Sequence, residues 1–497
     1  MDFAISSESM RLSDEYTIKN CGVSAIQLMD RAANAIFNEI ESGEYRKIAI
    51  VCGSGNNGGD GYCLALKLLD KGYNVAVFGK TPKTDSARYY FDILINKYPF
   101  DFKEISKLTN ITNLSRYHIV VDCLLGNGIK GNLTDEYIGY INVINTGKYI
   151  ISCDIPSGLN SDTGVKSPVS VKANKTIAIQ CYKPGHFLQD GKDHTGELKV
   201  CDIGIEVLGE KYYICDNEFV KKIFLPRLHN SHKGDYGRCG IVACSKHYVG
   251  AGILSYDSSY SVASSCEKMG TSSLSVGCGY SYLFVPEMML PYMWSRVTHS
   301  CLYSHKDLKN HKLDSIAFGM GIEDNNEVFD IVCDLPCKKV IDADGLNILS
   351  KNFDKIDKLK NCVLTPHLME FSRLTGLSLQ EIIDNPIEIA EYFANKYQVV
   401  LLLKGPTTII TDGDKIYLST SGNSALAKGG SGDVLSGVIA GLLAQKIPPL
   451  ESAVVAAYIC GKTAEFESEA FCKQSVLPNM IANDVGFILS KILKDQF

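Results

Sequence analysis

KIAIVCGSGNNGGDGYCLALKLL, residues 47–69, passes from an apolar strand through a glycine-rich turn into an amphipathic helix. The run Lys47–Cys52 is the strand. Residues 53–61 are the turn, and Tyr62–Leu69 carries the helical pattern that stops at Gly72. Outward from this stretch the alternation repeats. Tyr73–Phe78, Tyr117–Val121, Tyr149–Cys153 and Thr176–Gln180 are further short apolar runs separated by helix-like segments. Strands apolar on both faces and spaced by helices predict a mostly parallel, doubly wound α/β sheet. Ahead of it, Met29, Ala32, Ala33 and Ile36 recur at helical spacing, so the segment up to Ile40 reads as helix.

The pattern loosens between Glu206 and Leu228, where polar and aromatic residues mix and Pro226 stands near the end. A domain boundary is placed there, giving domains 1–215 and 216–497. A second α/β series opens at Cys239–Cys244. It continues through Ser315–Phe318, Lys339–Ile341, Asn361–Leu364 and Val399–Leu403, then ends in helices after Ser431. No internal repeat or low-complexity linker separates the halves.

The 497 residues are 45% hydrophobic and 21% charged, an ordinary globular balance with material for two large cores. A formal net charge of -6 disfavours nonspecific binding to nucleic acid or membrane. The 18 cysteines are scattered, several inside apolar strands (Cys52, Cys123, Cys153, Cys181), without the paired spacing of a zinc site. They read as free thiols of a reducing compartment. No run approaches the roughly 20 apolar residues that span a bilayer, and no signal peptide is evident. A cytoplasmic protein is expected.

Gly53, Gly55 and Gly58 satisfy the dinucleotide pattern G-x-G-x-x-G, but the following strand ends Phe78-Gly79-Lys80, without the acidic residue that would hold a ribose. An ordinary NAD-dependent dehydrogenase is therefore disfavoured. Asn56, Asn57 and Asp60 crowd side-chain oxygens into the turn, which suits a phosphate, a cation or both. Two more strand ends carry an acid beside glycine turns. Asp122 leads into Cys123 through Asn132, and Asp154 leads into Ile155-Pro156-Ser157-Gly158. Ligands of open α/β sheets sit outside such strand ends. Each Asp alone could equally cap a helix.

The most informative stretch of the second half is SGNSALAKGGSGDVLSG, residues 421–437. Gly429, Gly430 and Gly432 put bare amides at a helix start, an anion hole for a transferring phosphoryl group. Asp433 on the first turn can accept a substrate proton. Upstream, Lys404-Gly405-Pro406-Thr407-Thr408 follows a strand and suits nucleotide phosphates. His367 and Glu370 form a polar pair at another strand end. Asp342-Ala343-Asp344 is one more strand-end acidic cluster, suited either to a magnesium-nucleotide or to capping a helix.

Residues 53–61, Asp122–Asn132 and Asp154–Gly158, with Leu28-Met29-Asp30-Arg31-Ala32 and Lys183-Pro184-Gly185-His186, resemble the NAD(P)H-hydrate epimerase domain over the first 205 residues. The Gly-x-Gly-Asp turn resembles the ribokinase-like superfamily. The His367–Glu370 segment, residues 404–408 and Asn230–Gly237 narrow this to the NAD(P)H-hydrate dehydratase family, from about residue 225 onward. The resemblance implies a Rossmann-like doubly wound sheet followed by a ribokinase-like α/β/α domain. It implies hydrated NADH and NADPH as substrates, ADP in preference to ATP with magnesium as phosphoryl source, and a homo-oligomer as the assembly.

Carried over residue by residue, Asn56, Asn57, Gly58, Gly59 and Asp60, with Gly126, Asn127, Gly128, Ile129, Lys130, Gly131 and Asn132, would hold the hydrated nucleotide. Asp154 would act on the reacting carbon with Lys130 nearby, and Asn57, Asp122 and Ser157 would ligate potassium. Lys404, Gly405, Pro406, Thr407, Thr408 and Gly432 would contact the adenine nucleotide. Ala251, Gly321, His367 and Asp433 would contact the hydrate, with Asp433 catalytic. The chain departs from the family in three places. About a dozen extra residues stand between Ser255 and Ser272, Gly-Met-Gly replaces Gly-Pro-Gly at 319–321, and Cys460 stands where histidine is common. Two alternatives remain open: a ribokinase-type small-molecule kinase with an accessory N-terminal module, and an N-terminal half that only binds, as in scaffold domains of messenger-RNA decapping factors.

Overall fold

The computed structural model describes residues 1–43, 47–110, 113–128, 133–224, 228–261, 277–294 and 301–496. The chain divides into two compact units, Phe3–Tyr212 and Tyr213–Phe497, the latter together with Met1–Asp2.

The first unit is built on seven strands: β1 (Lys47–Cys52), β2 (Asn74–Gly79), β3 (Phe102–Glu104), β4 (Ile119–Cys123), β5 (Ile150–Cys153), β6 (Lys175–Ile179) and β7 (Glu197–Cys201). Their order across the sheet is β3-β2-β1-β4-β5-β6-β7, and every pair is parallel. The order reverses between β1 and β4, so the crevice at their carboxyl ends is the place where such a sheet binds ligands. Residues of β1, β4, β5 and β6 are almost all buried, the pattern of strands covered on both faces. On one face lie α1 (Ala25–Glu41) and α2 (Asn56–Asp70). Met29, Ala32, Ala33, Ile36 and Ile40 are buried with Leu64, Leu68, Ile48 and Ile50 in one core cluster. Ser24 opens α1 with a capping box to Gln27.

The second unit carries β8 (Tyr212–Ile214), β9 (Arg238–Val242), β10 (Tyr280–Val285), β11 (Cys301–Ser304), β12 (Ser315–Phe318), β13 (Lys338–Ile341), β14 (Val363–Leu364), β15 (Val400–Leu403), β16 (Thr408–Thr411) and β17 (Ile416–Ser419). The order is β8-β17-β16-β15-β14-β13-β12-β9-β10-β11. From β15 to β11 neighbours are parallel; β15-β16-β17 is an antiparallel meander. Helix α3 (Val249–Ser261) follows β9, and α4 (Ser431–Ala444) lies against it. At their crossing Gly437 has no room for a side chain: a Cβ there would lie 2.1 Å from both Ser255 O and Ser258 Oγ. Ser255 and Ser258 donate to the carbonyls of Asp433 and Val434 at 2.9 Å each, tying the start of α4 to α3. Two further apolar helices, Pro449–Ala470 and Pro478–Leu493, complete the core.

The extra residues expected between Ser255 and Ser272 fall largely in 262–276, outside the described residues. Among the described residues every cysteine is free, and no helix is long and apolar enough to cross a membrane.

Candidate active sites

In the first unit the helix begins earlier than the apolar pattern suggested, at Asn56 rather than Tyr62. Asn56, Asn57 and Asp60 thus occupy its first two turns. Its cap, Gly55, supplies no side-chain hydrogen bond, so the first amides stay open to an anion. Gly53 and Gly58 are there because backbones touch. A Cβ on Gly53 would sit 1.9 Å from Leu124 O, and one on Gly58 2.0 Å from Gly53 O.

Asp122 ends β4 fully buried, and it caps no helix. It accepts from Ser157 N at 2.9 Å, Ser157 Oγ at 2.6 Å, Ser152 Oγ at 2.9 Å and Leu124 N at 3.2 Å. Burial raises its pKa and these donors oppose the rise. Asn57 Nδ2 donates to Leu125 O at 2.8 Å, and Leu125 N donates to Ser157 Oγ at 2.8 Å. Asn57, Asp122 and Ser157 are therefore joined through one loop. Asn57 Oδ1 is buried with no hydrogen-bond partner among the described residues. An orphaned amide oxygen beside a carboxylate, a hydroxyl and a carbonyl is an all-oxygen donor set that suits a hard monovalent cation.

Asp154 follows β5 with φ 67°, a left-handed conformation that costs a non-glycine residue about 1–3 kcal/mol and is held by its surroundings. Its Oδ1 accepts from Ile179 N at 3.0 Å and from the ammonium of Lys183, which is fully buried. Lys183 also donates to Ile179 O at 2.8 Å. His186 Nε2 donates to Asp154 O at 2.8 Å while its Nδ1 accepts from Lys183 N at 3.1 Å. Burial, with Lys183 beside it, lowers His186 to about 4, so it stays neutral. The Ile179 amide and the Lys183 ammonium share Oδ1, leaving Oδ2 without a bond among the described residues. Two further carboxylates face the pair. Burial and Asp154 raise Asp60 well above its ordinary value, and the same causes lift Asp14 to about 6 against the pull of Lys183. Asp60 and Asp14 thus hold a proton more readily than free carboxylates beside the Asp154–Lys183 pair.

Sequence reasoning missed Lys183 and Asp14 as site residues. Lys183 follows β6, the neighbour of β5, so sheet order was the signal that could have found it. The lysine expected beside Asp154, Lys130, lies with Ile129, Gly131 and Asn132 outside the described residues. Gly126 is placed at the site: a Cβ on it would lie 3.2 Å from Asn57 Cβ.

In the second unit Gly430, at φ 102°, caps α4 without a side-chain bond; the Ser431 amide turns back to Lys428 O at 3.2 Å, and the amides of Gly432 and Asp433 head an open helix start. Asp433 is largely buried. Burial first, then Asp342 and Asp344, raise its pKa from 3.8 to about 7, opposed by Lys404. Lys404 and His367 stand side by side at the ends of β15 and β14, joined by a backbone bridge. His367 is the cap of the helix Leu368–Thr375: its Nδ1 accepts from Met369 N at 3.1 Å and Glu370 N at 3.2 Å. Glu370 returns a bond from His367 N at 2.8 Å. Capping fixes the ring and leaves Nε2 as the donor nitrogen, 3.5 Å from Glu370 Oε1. Ala251 and Gly321 also converge, since a Cβ on Gly321 would lie 3.2 Å from Ala251 Cβ. In the Asp342 cluster, Asp342 caps no helix, and Asp344 accepts from Glu323 N at 2.9 Å through Oδ2. Asp342 is buried, with Oδ1 bound to Lys404 Nζ at 2.9 Å and Oδ2 to Ser436 Oγ at 2.8 Å.

Each unit thus sets a carboxylate near a helix start at the carboxyl ends of parallel strands. That defines a two-centre α/β enzyme built for anionic, nucleotide-like ligands. Residues 239–485 match the family model described as NAD(P)H-hydrate dehydratase, and residues 20–185 match that of the YjeF-related protein N-terminus. The bifunctional NAD(P)H-hydrate repair enzyme Nnr of Dictyoglomus turgidum is 30% identical over 99% of this chain and 96% of its own. That of Helicobacter pylori is 32% identical over 90% and 92%. The crystal structure of ADP/ATP-dependent NAD(P)H-hydrate dehydratase from Bacillus subtilis, co-crystallised with ATP and magnesium, is 25% identical. It covers 57% of this chain and 99% of its own, with a TM-score of 0.47. The chain belongs to the bifunctional NAD(P)H-hydrate repair enzymes, which join an epimerase to a nucleotide-dependent dehydratase.

Proposed function

We propose that residues 1–215 interconvert the R and S hydrates of NADH and NADPH, and that residues 216–497 dehydrate the S hydrate at the expense of ADP, or of ATP, with magnesium. The observation that carries the first half is Asp154 in a strained backbone, its Oδ1 tied to buried Lys183 and its Oδ2 left for substrate. Asp154 moves the proton at the reacting carbon or ring nitrogen, and Lys183 holds and balances it. Asn56–Asp60 and Gly126–Asn132 hold the nucleotide, whose phosphates suit the open amides behind Gly55. Asn57, Asp122 and Ser157 would hold a potassium ion, whose positive charge would offset the negative charge of the nucleotide phosphates.

In the second half, Asp433 takes the proton from the hydrate hydroxyl as a phosphoryl group is transferred to it. The amides around Gly432 receive the charge that develops. Phosphate then leaves, pushed by the ring nitrogen, restoring the reduced cofactor; with ADP the other product is AMP. Lys404–Thr408 and Gly432 contact the adenine nucleotide, while Ala251, Gly321 and His367 line the hydrate. The protein acts as a homo-oligomer in the cytoplasm. Hydrated NADH incubated with and without nucleotide tests the reading: nucleotide alone should switch epimer exchange into recovery of NADH. Recovery of NADH without nucleotide, or no epimer exchange in its absence, would refute it.

A further inference from the structure

Asp342 is the most buried carboxylate of the second unit's site, 1% exposed, and no step above uses it. It sits at the end of β13, before Ala343, a non-glycine residue at φ 47°. The backbone is bent there against its preference, which orients the carboxylate toward its partners. One oxygen holds Lys404 Nζ at 2.9 Å. The other holds Ser436 Oγ at 2.8 Å, one turn beyond Asp433 in α4. The place a Cβ would take on Gly432 lies 3.4 Å from Asp342 Oδ2 and 3.5 Å from Lys404 Nζ. The ammonium therefore stands over the bare glycine at the helix start, where phosphoryl charge would arrive. An ammonium has three donors, so the bond to Asp342 leaves others for a phosphate oxygen.

We propose that Asp342 is a positioning residue of the dehydratase: it aims the Lys404 ammonium at the anion hole and anchors the helix that carries Asp433. The proposal rests on the reading of the Gly-x-Gly-Asp turn as the phosphoryl-transfer element. A surface lysine would wander over many rotamers, and a buried carboxylate removes that freedom. Burial works against the Lys404 charge, but Asp342, Glu370 and Asp433 outweigh it, so the ammonium stays charged. The groups facing Asp433 are Asp342 from β13, Lys404 from β15, Asp344 from the following helix and Cys244 after β9. Among these, Asp342 holds the Asp433 proton most strongly after burial.

The test uses the full chain and three substitutions. Asp342→Asn should lower dehydration kcat/KM on the order of 100-fold, the cost of an ångström-scale misplacement. It should also move the acid limb of the pH profile to lower pH, because Asp433 loses a neighbouring negative charge and faces Lys404 unpaired. Ser436→Ala removes one anchor but keeps both charges, so it should lower kcat less and leave the acid limb in place. Epimerisation by the same proteins reports that the other unit is intact. A purely structural role would reduce rate without moving the limb, and that result overturns the proposal, as does wild-type behaviour of Asp342→Asn. If Asp342→Asn does not fold, Ser436→Ala carries the test, and an unchanged kcat overturns it. Asp433→Asn separates the two failures: if it still dehydrates, the reading of the turn fails; if it is inactive while Asp342→Asn is normal, only this proposal does.

Discussion

Asp433→Asn keeps the shape of the side chain and removes its proton-accepting ability and its charge. Two magnitudes follow from its surroundings. Loss of a general base costs about 100- to 10,000-fold in rate. The second effect is on stability. The folded carboxyl is raised from 3.8 to about 7 by burial and by Asp342, so above pH 7 folding forces a charge into a place that disfavours it. Such a difference costs the folded protein at most on the order of 4 kcal/mol. The sign is set by which state holds the proton. Between about pH 4 and 7 the folded form binds more protons than the unfolded form, so stability falls as pH rises. Below about pH 4 both forms are protonated and the penalty is absent. The asparagine variant lacks the penalty throughout. Its melting temperature should match the wild type at pH 4, exceed it progressively toward pH 7, and keep a constant advantage above. Thermal melts of both proteins across this range, with dehydration rates on the same samples, make the check. A stability difference flat with pH, or an active variant, would refute the argument that Asp433 is a buried base of raised pKa.

Three further outcomes are expected. Crystals soaked in rubidium or caesium should show density between Asn57, Asp122 and Ser157, whereas an empty position or a bound zinc would count against the cation site. Lys183→Met leaves Asp154 without its buried counter-charge. Epimerisation should fall by at least about 100-fold while dehydration continues, and wild-type epimerisation would show that Lys183 has only a structural role. Residues 1–215 expressed alone should fold and exchange the epimers without nucleotide; aggregation of that fragment would mean that the halves fold as one cooperative unit.

The fold was legible because its strands are short, almost wholly apolar runs between glycine turns, a pattern that parallel sheets impose. Helix starts were less so: α2 begins at Asn56, where polar residues and glycines hide the helical period behind the ligand-binding turn. At the sites, acids at strand ends were visible one by one, but their partners were not. The bond from Lys183 to Asp154 spans neighbouring strands, and the local pattern around Lys183 looks like a loop. The Asp342–Asp344 cluster read as either a magnesium-nucleotide site or a helix cap, and nothing in Asp-Ala-Asp-Gly reveals the long-range pairing of Asp342 to Lys404 and Ser436. His367 and Glu370 read as a polar pair at a strand end; the structure makes His367 a helix cap through Nδ1, with Nε2 3.5 Å from Glu370 Oε1.

The central claim is that one chain carries two independent centres acting in sequence on the same damaged cofactor. The most direct measurement follows the R and S hydrates separately by chromatography, with nucleotide and magnesium present, in the full-length Asp154→Ala variant. The account predicts that the S hydrate disappears at the wild-type rate while the R hydrate is lost only at the slow uncatalysed rate of epimer exchange. Loss of both epimers at wild-type rates would contradict it and leave the first unit as a binding module.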